Sequence, residues 1–319
     1  MIEYFMDDKT PMLEMVRRFL EYLEIERNCS RLTIRNYQHY LDVFMEYLTA
    51  GGTREAVMSD LNMESMRTFR LFLSRQKGTL GDMKPVTQGY YIIALRSFLK
   101  WLVKNDIKTL APEKLEVPKS KDHSLKFLDG QQIERLLAQP LASTLAGARD
   151  VAILELLFST GLRVSELVGL NRDQVNLVTR EFGVIGKGGR SRVVFISRQA
   201  ALIIDRYLKT REDYFKPMFI HFSGKKTNLA ANDKSMRLTS RSVQRIVKKY
   251  VKQARLPVDA TPHTLRHSMA TDLLRSGADL RSVQEILGHK NIATTQIYTH
   301  VTDARLREVH EKFHKGNKK

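Results

Sequence analysis

The chain has 319 residues, of which 42% are hydrophobic, and its 53 lysines and arginines against 35 acidic residues give a net charge of +18. That length exceeds one ordinary domain and predicts two, with enough apolar residues for real cores. The single cysteine excludes an intramolecular disulfide and a zinc cluster built from thiolates. No apolar stretch reaches the roughly 18 residues of a membrane-spanning helix, and acidic residues stand where a secretory signal would be basic. We therefore expect a cytoplasmic protein with no membrane partner.

Positive charge is concentrated in the second half of the chain. Residues 1–123 include 19 basic and 17 acidic residues, whereas residues 124–319 include 34 and 18. Solubility alone needs far less charge than this. A globular half so basic is expected to attract a polyanion, and nucleic acid is the leading candidate.

Apolar residues in the first half recur at the spacing of α-helices. The pattern predicts helices over 11–27 and 30–48, and two more near 62–76 and 86–104. Residues 1–110 are therefore expected to form a helical domain with its aromatic side chains in the core. The basic residues on these helices either face DNA or are solvated, because the two situations look the same in sequence.

Residues 111–126 predict a linker, because this stretch has two prolines, scattered charge and no periodicity. Asp129, with Gln132 three residues later, has the pattern of a capping box that opens the first helix of the next domain. The second domain, residues 127–319, is expected to be mainly helical with one small antiparallel β-sheet.

Residues 175–196 predict that sheet, as two strands about a glycine-rich turn that carries Lys187. The glycines let the backbone bend and approach a ligand closely. A Gly-Lys-Gly-Gly turn alone would be an ordinary hairpin with a solvated lysine, and the residue order of a phosphate-cradling P-loop is absent. The interpretation of Lys187 therefore depends on its companions.

Six residues in four motifs have side chains suited to a phosphodiester. The motifs are TGLRVSEL (160–167), GKGGRSR (186–192), HTLRH (263–267) and LGHKNIATTQIYTH (287–300). The residues are Arg163, Lys187, His263, Arg266, His289 and Tyr298. Arginine clamps nonbridging phosphate oxygens bidentately, and a leaving alkoxide needs a proton donor. Tyrosine, with an ordinary pKa of about 10, becomes a nucleophile when cations stabilise its phenolate.

Helix ends are expected to present several of these residues. His263 and Arg266 share a face near the positive start of a helix capped by Thr261, which is a favourable place for a phosphate. His267 is expected to lie off that face, as a core or hydrogen-bonding histidine. His289 is expected at the C-terminal edge of another short helix.

In order and spacing, the six residues resemble the active site of the tyrosine recombinase/integrase family. That family has an Arg after a Thr-Gly turn, a Lys in a β-hairpin, a His-x-x-Arg pair, a second His and a nucleophilic Tyr, and this chain has a counterpart for each. The compact length and the ending QIYTHVTDARLREVHEKFH are most similar to the Xer recombinases, which resolve chromosome dimers. The family's acidic supporting residue corresponds to Glu166. A general base is the weaker interpretation of Glu166, because an anion there repels phosphate.

The resemblance implies a fold and a reaction. The fold is a two-domain, C-shaped DNA clamp, in which a helical, SAM-like core-binding domain (1–110) joins a catalytic tyrosine-recombinase domain (127–319). Tyr298 would attack the scissile phosphate to give a 3′-phosphotyrosyl bond, and religation to a partner strand would give a Holliday junction. Because the covalent bond keeps the phosphoester energy, neither a cofactor nor a metal is expected.

The implied partner is a double-stranded DNA recombination site with paired half-sites. A homo-tetramer, or a hetero-tetramer with a second recombinase, would assemble on that DNA, and a DNA translocase is a further candidate partner. A C-terminal helix is predicted over 302–314, with an apolar stripe at helical spacing. That stripe packs either on the protein's own core or, as in the resembling recombinases, on a neighbouring protomer.

Three alternatives share parts of this pattern. A mobile-element integrase of the same family has the same active site, but only 22 residues separate Arg266 from His289, which leaves no room for the added segment of integron integrases. A type IB topoisomerase-like enzyme reseals the same strand as a monomer, whereas the short first domain and the helix after Tyr298 favour recombination. A non-catalytic DNA-binding protein would not need all six residues.

Overall fold

The structure is a computed structural model that describes residues 10–50, 52, 54–78, 81–118, 126–186, 189, 191–222, 232–289, 291 and 295. The chain divides into two compact units, residues 1–123 and 124–319. Helices dominate both, and an antiparallel pair of strands occurs in each unit. The prediction of a mainly helical protein with a small antiparallel sheet is confirmed.

The first unit contains the helices that the sequence predicts. Within its described residues these are α1 (Met12–Ile25), α2 (Arg31–Thr49), α3 (Met63–Arg75) and α4 (Pro85–Lys104). Side chains of Ser30 and Asn62 accept N–H groups in the first turns of α2 and α3, and a proline begins α4. Aromatic side chains fill the core, where the ring of Phe19 contacts those of Phe98 and Trp101.

Two features of the first unit differ from the sequence interpretation. β1 (Lys77–Gly78) pairs antiparallel with β2 (Gly81–Asp82), where only helices were expected. Part of the stretch interpreted as a linker forms a 3-10 turn at Pro112–Lys114 and buries Leu115 in the first unit's core. Periodicity needs about ten residues to be informative, so two-residue strands and a single buried leucine escape it. Residues 119–125 lie outside the described residues.

The second unit is built around a buried central helix. Its described helices are α5 (Gly130–Leu137), α6 (Leu145–Thr160), α7 (Val164–Gly169), α8 (Arg198–Lys209), α9 (Asp233–Met236), α10 (Ser240–Gln253), α11 (Pro262–Arg275) and α12 (Leu280–Leu287). α5 opens with the predicted capping box, because Asp129 and Gln132 each accept the other's backbone N–H. Apolar residues of α6, the central helix, are inaccessible to solvent, among them Ile153, Leu154 and Leu157.

The predicted hairpin consists of β3 (Glu181–Ile185) and β4 (Ser191–Phe195), with Val184 opposite Arg192. The strands are shorter than 175–196, because the side chain of Asn176 accepts two of the next backbone N–H groups and turns the chain before β3. Side chains alternate between the two faces. The inner face joins the core through Phe182, Val184, Val194 and Ile196.

Helix ends place the residues that the motifs single out. α6 ends at Gly161, whose φ of +59° is the left-handed conformation that glycine adopts freely, and Arg163 is the N-cap of α7. Thr261 caps α11, as predicted. α12 ends at Gly288, with a φ of +65°, immediately before His289.

Three predicted features lie outside the described residues: Lys187, Tyr298 and the helix over 302–314. Among the helices that are described, none combines the length and the apolar character needed to cross a membrane.

Candidate active site

A cleft of about 580 Å³ opens in the second unit, lined by residues from α10 and from the starts of α7 and α11. Its polar lining includes Arg163, Arg241, Gln244, Lys248, His263 and Arg266. Three of these come from two motifs that are far apart in the sequence. The fold therefore brings the TGLR and HTLRH motifs to one place.

Arg266 is held from two sides and is only 2% exposed. Its Nη1 donates to the carbonyl oxygen of Gly161, and its Nη2 donates to that of Leu287 at 2.6 Å. These carbonyls belong to the C-terminal ends of α6 and α12, where the helix dipole favours a cation. One guanidinium thus joins two helix ends and keeps a single orientation towards a ligand in the cleft.

Arg163 is oriented by Glu166, one turn further along. The Arg163 Nη1 donates to Oε1 of Glu166 at 2.9 Å, and the Arg163 backbone N–H donates to Oε2 at 2.9 Å. Its Nη2 lies 3.4 Å from the carbonyl oxygen of Gly288. A third of the side chain, 33%, remains exposed, so Arg163 can also reach a ligand.

A second arginine shares the Glu166 carboxylate. Arg192 on β4 donates from Nη1 to Oε1 at 2.8 Å and from Nη2 to Oε2 at 2.9 Å. Burial of Glu166 raises its pKa, but hydrogen bonds from Arg192 and Arg163 outweigh burial and bring the pKa down to about 2. A carboxylate that accepts four N–H groups is ionised near neutral pH, and its lone pairs are occupied. This geometry suits a supporting residue better than a general base.

His267 contacts His263, so the expectation that it lies off that face is wrong. The two ring centroids are 4.3 Å apart in an edge-to-face arrangement. Residues four apart on a helix are neighbours, so the spacing of the two histidines could have predicted this contact.

His289 is held at the end of α12 by Gln284, which exchanges hydrogen bonds with the His289 backbone at 3.1 Å in both directions. The ring Nδ1 lies 3.0 Å from the hydroxyl of the buried Thr295. Because this contact uses one ring nitrogen, it sets the direction of the other one.

All three histidines have a pKa below the ordinary 6.5, and burial is the largest cause in each case. For His263 and His289 the charges of Arg266 and Arg163 come next, and the pKa of His289 falls to about 4. For His267 the second cause is His263, and its pKa also falls to about 4. The imidazoles are therefore neutral at neutral pH, and each can accept a proton or donate a hydrogen bond from its ring N–H. The surrounding positive potential attracts an anion such as phosphate.

α10 has a basic side and a buried side. Arg241 and Lys248 line the cleft, whereas the opposite side of the helix packs in the core through Val243, Val247, Tyr250 and Val251. The Tyr250 hydroxyl donates to the buried carboxylate of Asp150 at 2.8 Å, which anchors α10 against α6. A helix anchored on one side and cationic on the other is typical of a polyanion-binding surface.

The structure thus groups most of the residues that the sequence singles out: Arg163, Glu166, His263, Arg266 and His289. Sequence reasoning missed Arg192 and Thr295 as neighbours of the site, and it placed His267 off the helix face that His267 shares with His263. Arg192 stands in the same GKGGRSR motif as Lys187, and alternation with Val194 would have placed it on the hairpin's inner face. Nothing in the sequence distinguishes Thr295 from the polar residues around it.

This fold and this cleft define a class of protein: a mainly helical protein with a cationic cleft suited to a polyanion such as DNA. The model of the phage integrase family matches residues 126–305, and that of the phage integrase N-terminal SAM-like domain matches residues 16–106. The chain belongs to the phage integrase family. It is a site-specific tyrosine recombinase, an enzyme that transfers DNA strands.

Similar proteins match almost the whole chain. Tyrosine recombinase XerD of Lacticaseibacillus casei is 38% identical over 307 residues, covering 94% of this chain and 98% of that protein. Tyrosine recombinase XerC of Haemophilus influenzae (strain PittEE) is 37% identical over 304 residues, covering 95% and 98%. The crystal structure of XerH recombinase bound to a palindromic difH substrate has the same fold, with a TM-score of 0.66 at 24% identity, over 93% of this chain and 84% of that one.

Proposed function

We propose that this recombinase acts on paired half-sites in duplex DNA and has an Xer-like role, the resolution of chromosome dimers. Its similarity to XerD and XerC proteins along nearly their full lengths supports that role over a mobile-element role. The observation that carries the proposal is the cationic cleft, in which Arg163, Arg266 and the neutral His263 come together from separate motifs. The neutral His289 lies close enough for the charges of both arginines to lower its pKa.

In the proposed reaction, the phenolate oxygen of Tyr298 attacks the scissile phosphorus, and the bond from phosphorus to the 5′-oxygen breaks. Lys187 gives a proton to the departing 5′-oxygen, and His263 takes the proton of the attacking phenol. The product is a 3′-phosphotyrosyl bond with a free 5′-hydroxyl. Attack by a partner strand's 5′-hydroxyl reverses these steps and exchanges strands through a Holliday junction.

Arg163 and Arg266 are proposed to bind the nonbridging oxygens and to stabilise the pentacoordinate state. The two carbonyl contacts of Arg266 and the Glu166 contact of Arg163 support this, because fixed donors need not reorganise when charge develops. His289 is proposed to hydrogen-bond the phosphate through the ring nitrogen that does not face Thr295.

Neutral His263 supports its assignment as proton acceptor, since only an uncharged imidazole can take up the phenolic proton. Burial and the neighbouring arginines keep its pKa low. Glu166 is proposed to support Arg163 without exchanging protons. The basic side of α10 is proposed to extend the DNA interface beyond the scissile phosphate.

A covalent-trapping experiment tests the nucleophile. DNA trapped on the wild-type protein in its own cells would first be sequenced to identify the site, and a nicked suicide duplex carrying that site would then be used. Tyr298→Phe is expected to bind this duplex but form no protein–DNA adduct. Tyr214→Phe is the matched control, because Tyr214 is 97% exposed, and it is expected to form the adduct normally. An adduct with Tyr298→Phe would show that another tyrosine is the nucleophile.

Two DNA sites with two half-sites each require four protomers, and we propose a tetramer on paired sites. Similar identity to XerD and XerC proteins does not discriminate between four copies of this chain and a mixture with a second recombinase. Recombination of paired sites by the purified protein alone would establish the homo-tetramer. A Holliday junction that forms only after a partner recombinase is added would establish the mixed assembly, and a translocase requirement would appear as DNA exchange that depends on ATP.

A further inference from the structure

Arg192 occupies a special position on the hairpin. In the alternation of β4 it shares the inner face with Val194 and Ile196, which are buried in the core. Its side chain is only 11% exposed, at the end of the strand next to the turn. In the sequence, Lys187 follows Ile185, the last residue of β3, by two positions.

The Arg192 guanidinium uses donors in two directions. Nη1 and Nη2 grip the two oxygens of Glu166, the carboxylate that also orients Arg163. Nε donates to the carbonyl oxygen of Ile286 at 3.2 Å, in the last turn of α12. The Arg192 side chain therefore bonds both Glu166, which orients Arg163, and α12, which ends beside His289.

Gly288 makes room for this arrangement. A Cβ built at Gly288 would lie 2.8 Å from Cδ of Arg192 and 3.3 Å from its Nε. The Arg192 stem therefore lies across the end of α12, where a Cβ at position 288 would force the arginine to move. Two separate features therefore favour glycine at position 288: its left-handed φ and its close approach to Arg192.

The core holds the strands of this hairpin. In the described structure β3 and β4 form a two-stranded sheet, whose inner face packs in the second unit's core through Phe182, Val184, Val194 and Ile196. The turn between them contains Gly186 and Gly189, which add backbone freedom. Without a contact near the turn, the hydrophobic inner face would hold the strands but leave the turn poorly positioned.

We propose that Arg192 is a positioning residue that holds the hairpin carrying Lys187 in a fixed place relative to Arg163 and the end of α12. This inference rests on the proposed role of Lys187 as proton donor to the 5′-oxygen. An arginine is required, because its planar fork supplies Nε, Nη1 and Nη2 in fixed directions, whereas a lysine ammonium is a single point of contact.

The test uses the full-length protein and two suicide duplexes, one with the ordinary 5′-oxygen and one with sulfur as the 5′-bridging atom. A thiolate leaves without protonation, so the sulfur duplex makes a proton donor unnecessary. Lys187→Ala should lose about 10²–10⁴-fold in cleavage rate on the oxygen duplex and regain most of it on the sulfur duplex. Arg192→Met should show the same pattern, with at least about tenfold of its loss regained on sulfur.

Arg211→Met is the matched control for lost stability. Arg211 also grips a carboxylate, that of Asp213, and donates to the carbonyl oxygens of Pro217 and Met218, but it is not among the residues that line the cleft. Its rates on the two duplexes should stay in the wild-type ratio. Arg192→Lys keeps the charge and the stem, and the same rescue by sulfur is expected if Arg192→Met does not fold.

The outcomes separate the two ideas. Rescue of Lys187→Ala together with an equal loss by Arg192→Met or Arg192→Lys on both duplexes would overturn the positioning role alone. Absence of rescue for Lys187→Ala would overturn the donor role of Lys187, and the inference about Arg192 with it. Rescue of both variants, with Arg211→Met unchanged in ratio, is the expected result.

Discussion

Glu166→Gln is expected to destabilise the second unit by about 3–5 kcal/mol, because the amide leaves two guanidinium groups without their shared negative charge. The side chain is 5% exposed and accepts N–H groups from Arg163 and Arg192 at 2.8–2.9 Å. A fall in its pKa from 4.5 to about 2 corresponds independently to roughly 3 kcal/mol of stability at neutral pH. That contribution is complete above about pH 4.5 and is lost as the pH falls through about 2.

Urea unfolding at neutral pH can assign the effect to one unit. Trp101 is the only tryptophan and lies in the core of the first unit, so its fluorescence reports on that unit, whereas far-UV circular dichroism reports on helices of both. With a urea dependence of roughly 2 kcal/mol per molar, the second unit's midpoint should fall by about 1.5–2.5 M. The fluorescence midpoint should stay where it is.

Glu285→Gln is the matched control for this experiment. Glu285 forms an ion pair with Arg281 at 3.0 Å on the surface of α12, with both side chains about two-thirds exposed, and such pairs contribute roughly 0.5 kcal/mol. If Glu166→Gln lowers the second midpoint no more than Glu285→Gln does, the shared carboxylate does not stabilise the site. That result would refute the reasoning about its four hydrogen bonds.

Three further predictions follow from the same site. Gly288→Ala should reduce stability by about 1 kcal/mol or more, because of the positive φ at this position. It should also reduce DNA cleavage, because the added Cβ displaces Arg192. Gly277→Ala, also at a positive φ, is the control and should reduce stability but not cleavage by the folded protein. The second unit should lose stability as the pH falls from 6.5 towards 4. The reason is that histidines of the unfolded chain bind protons at about pH 6.5, whereas those of the folded site resist protonation. A urea midpoint for His267→Gln that falls with pH as steeply as that of wild type would contradict this. Cleavage and religation should continue in excess EDTA, since side chains supply the cations, and DNA binding should weaken steeply with salt; cleavage that is lost in EDTA and restored by magnesium would overturn the reaction proposed.

Much of the protein follows from local sequence signals. The four helices of the first unit are confirmed because their apolar spacing runs over several turns, which is the strongest pattern a sequence contains. The caps at Asp129 and Thr261 are confirmed because a cap is an interaction within three residues. The type of reaction could also be inferred from the sequence, because the residue types of the four motifs and their order along the chain indicate it.

Tertiary structure alone decided how those residues are held. The pair of Glu166 and Arg192 joins residues 26 apart, and Arg266 contacts carbonyls at Gly161 and Leu287 that no local pattern relates to it. The low pKa values of the histidines likewise arise from burial and from charges that only the folded chain places beside them. Sequence periodicity describes which side of an element is buried, whereas these contacts depend on which elements meet, and that is set by the packing of the whole unit.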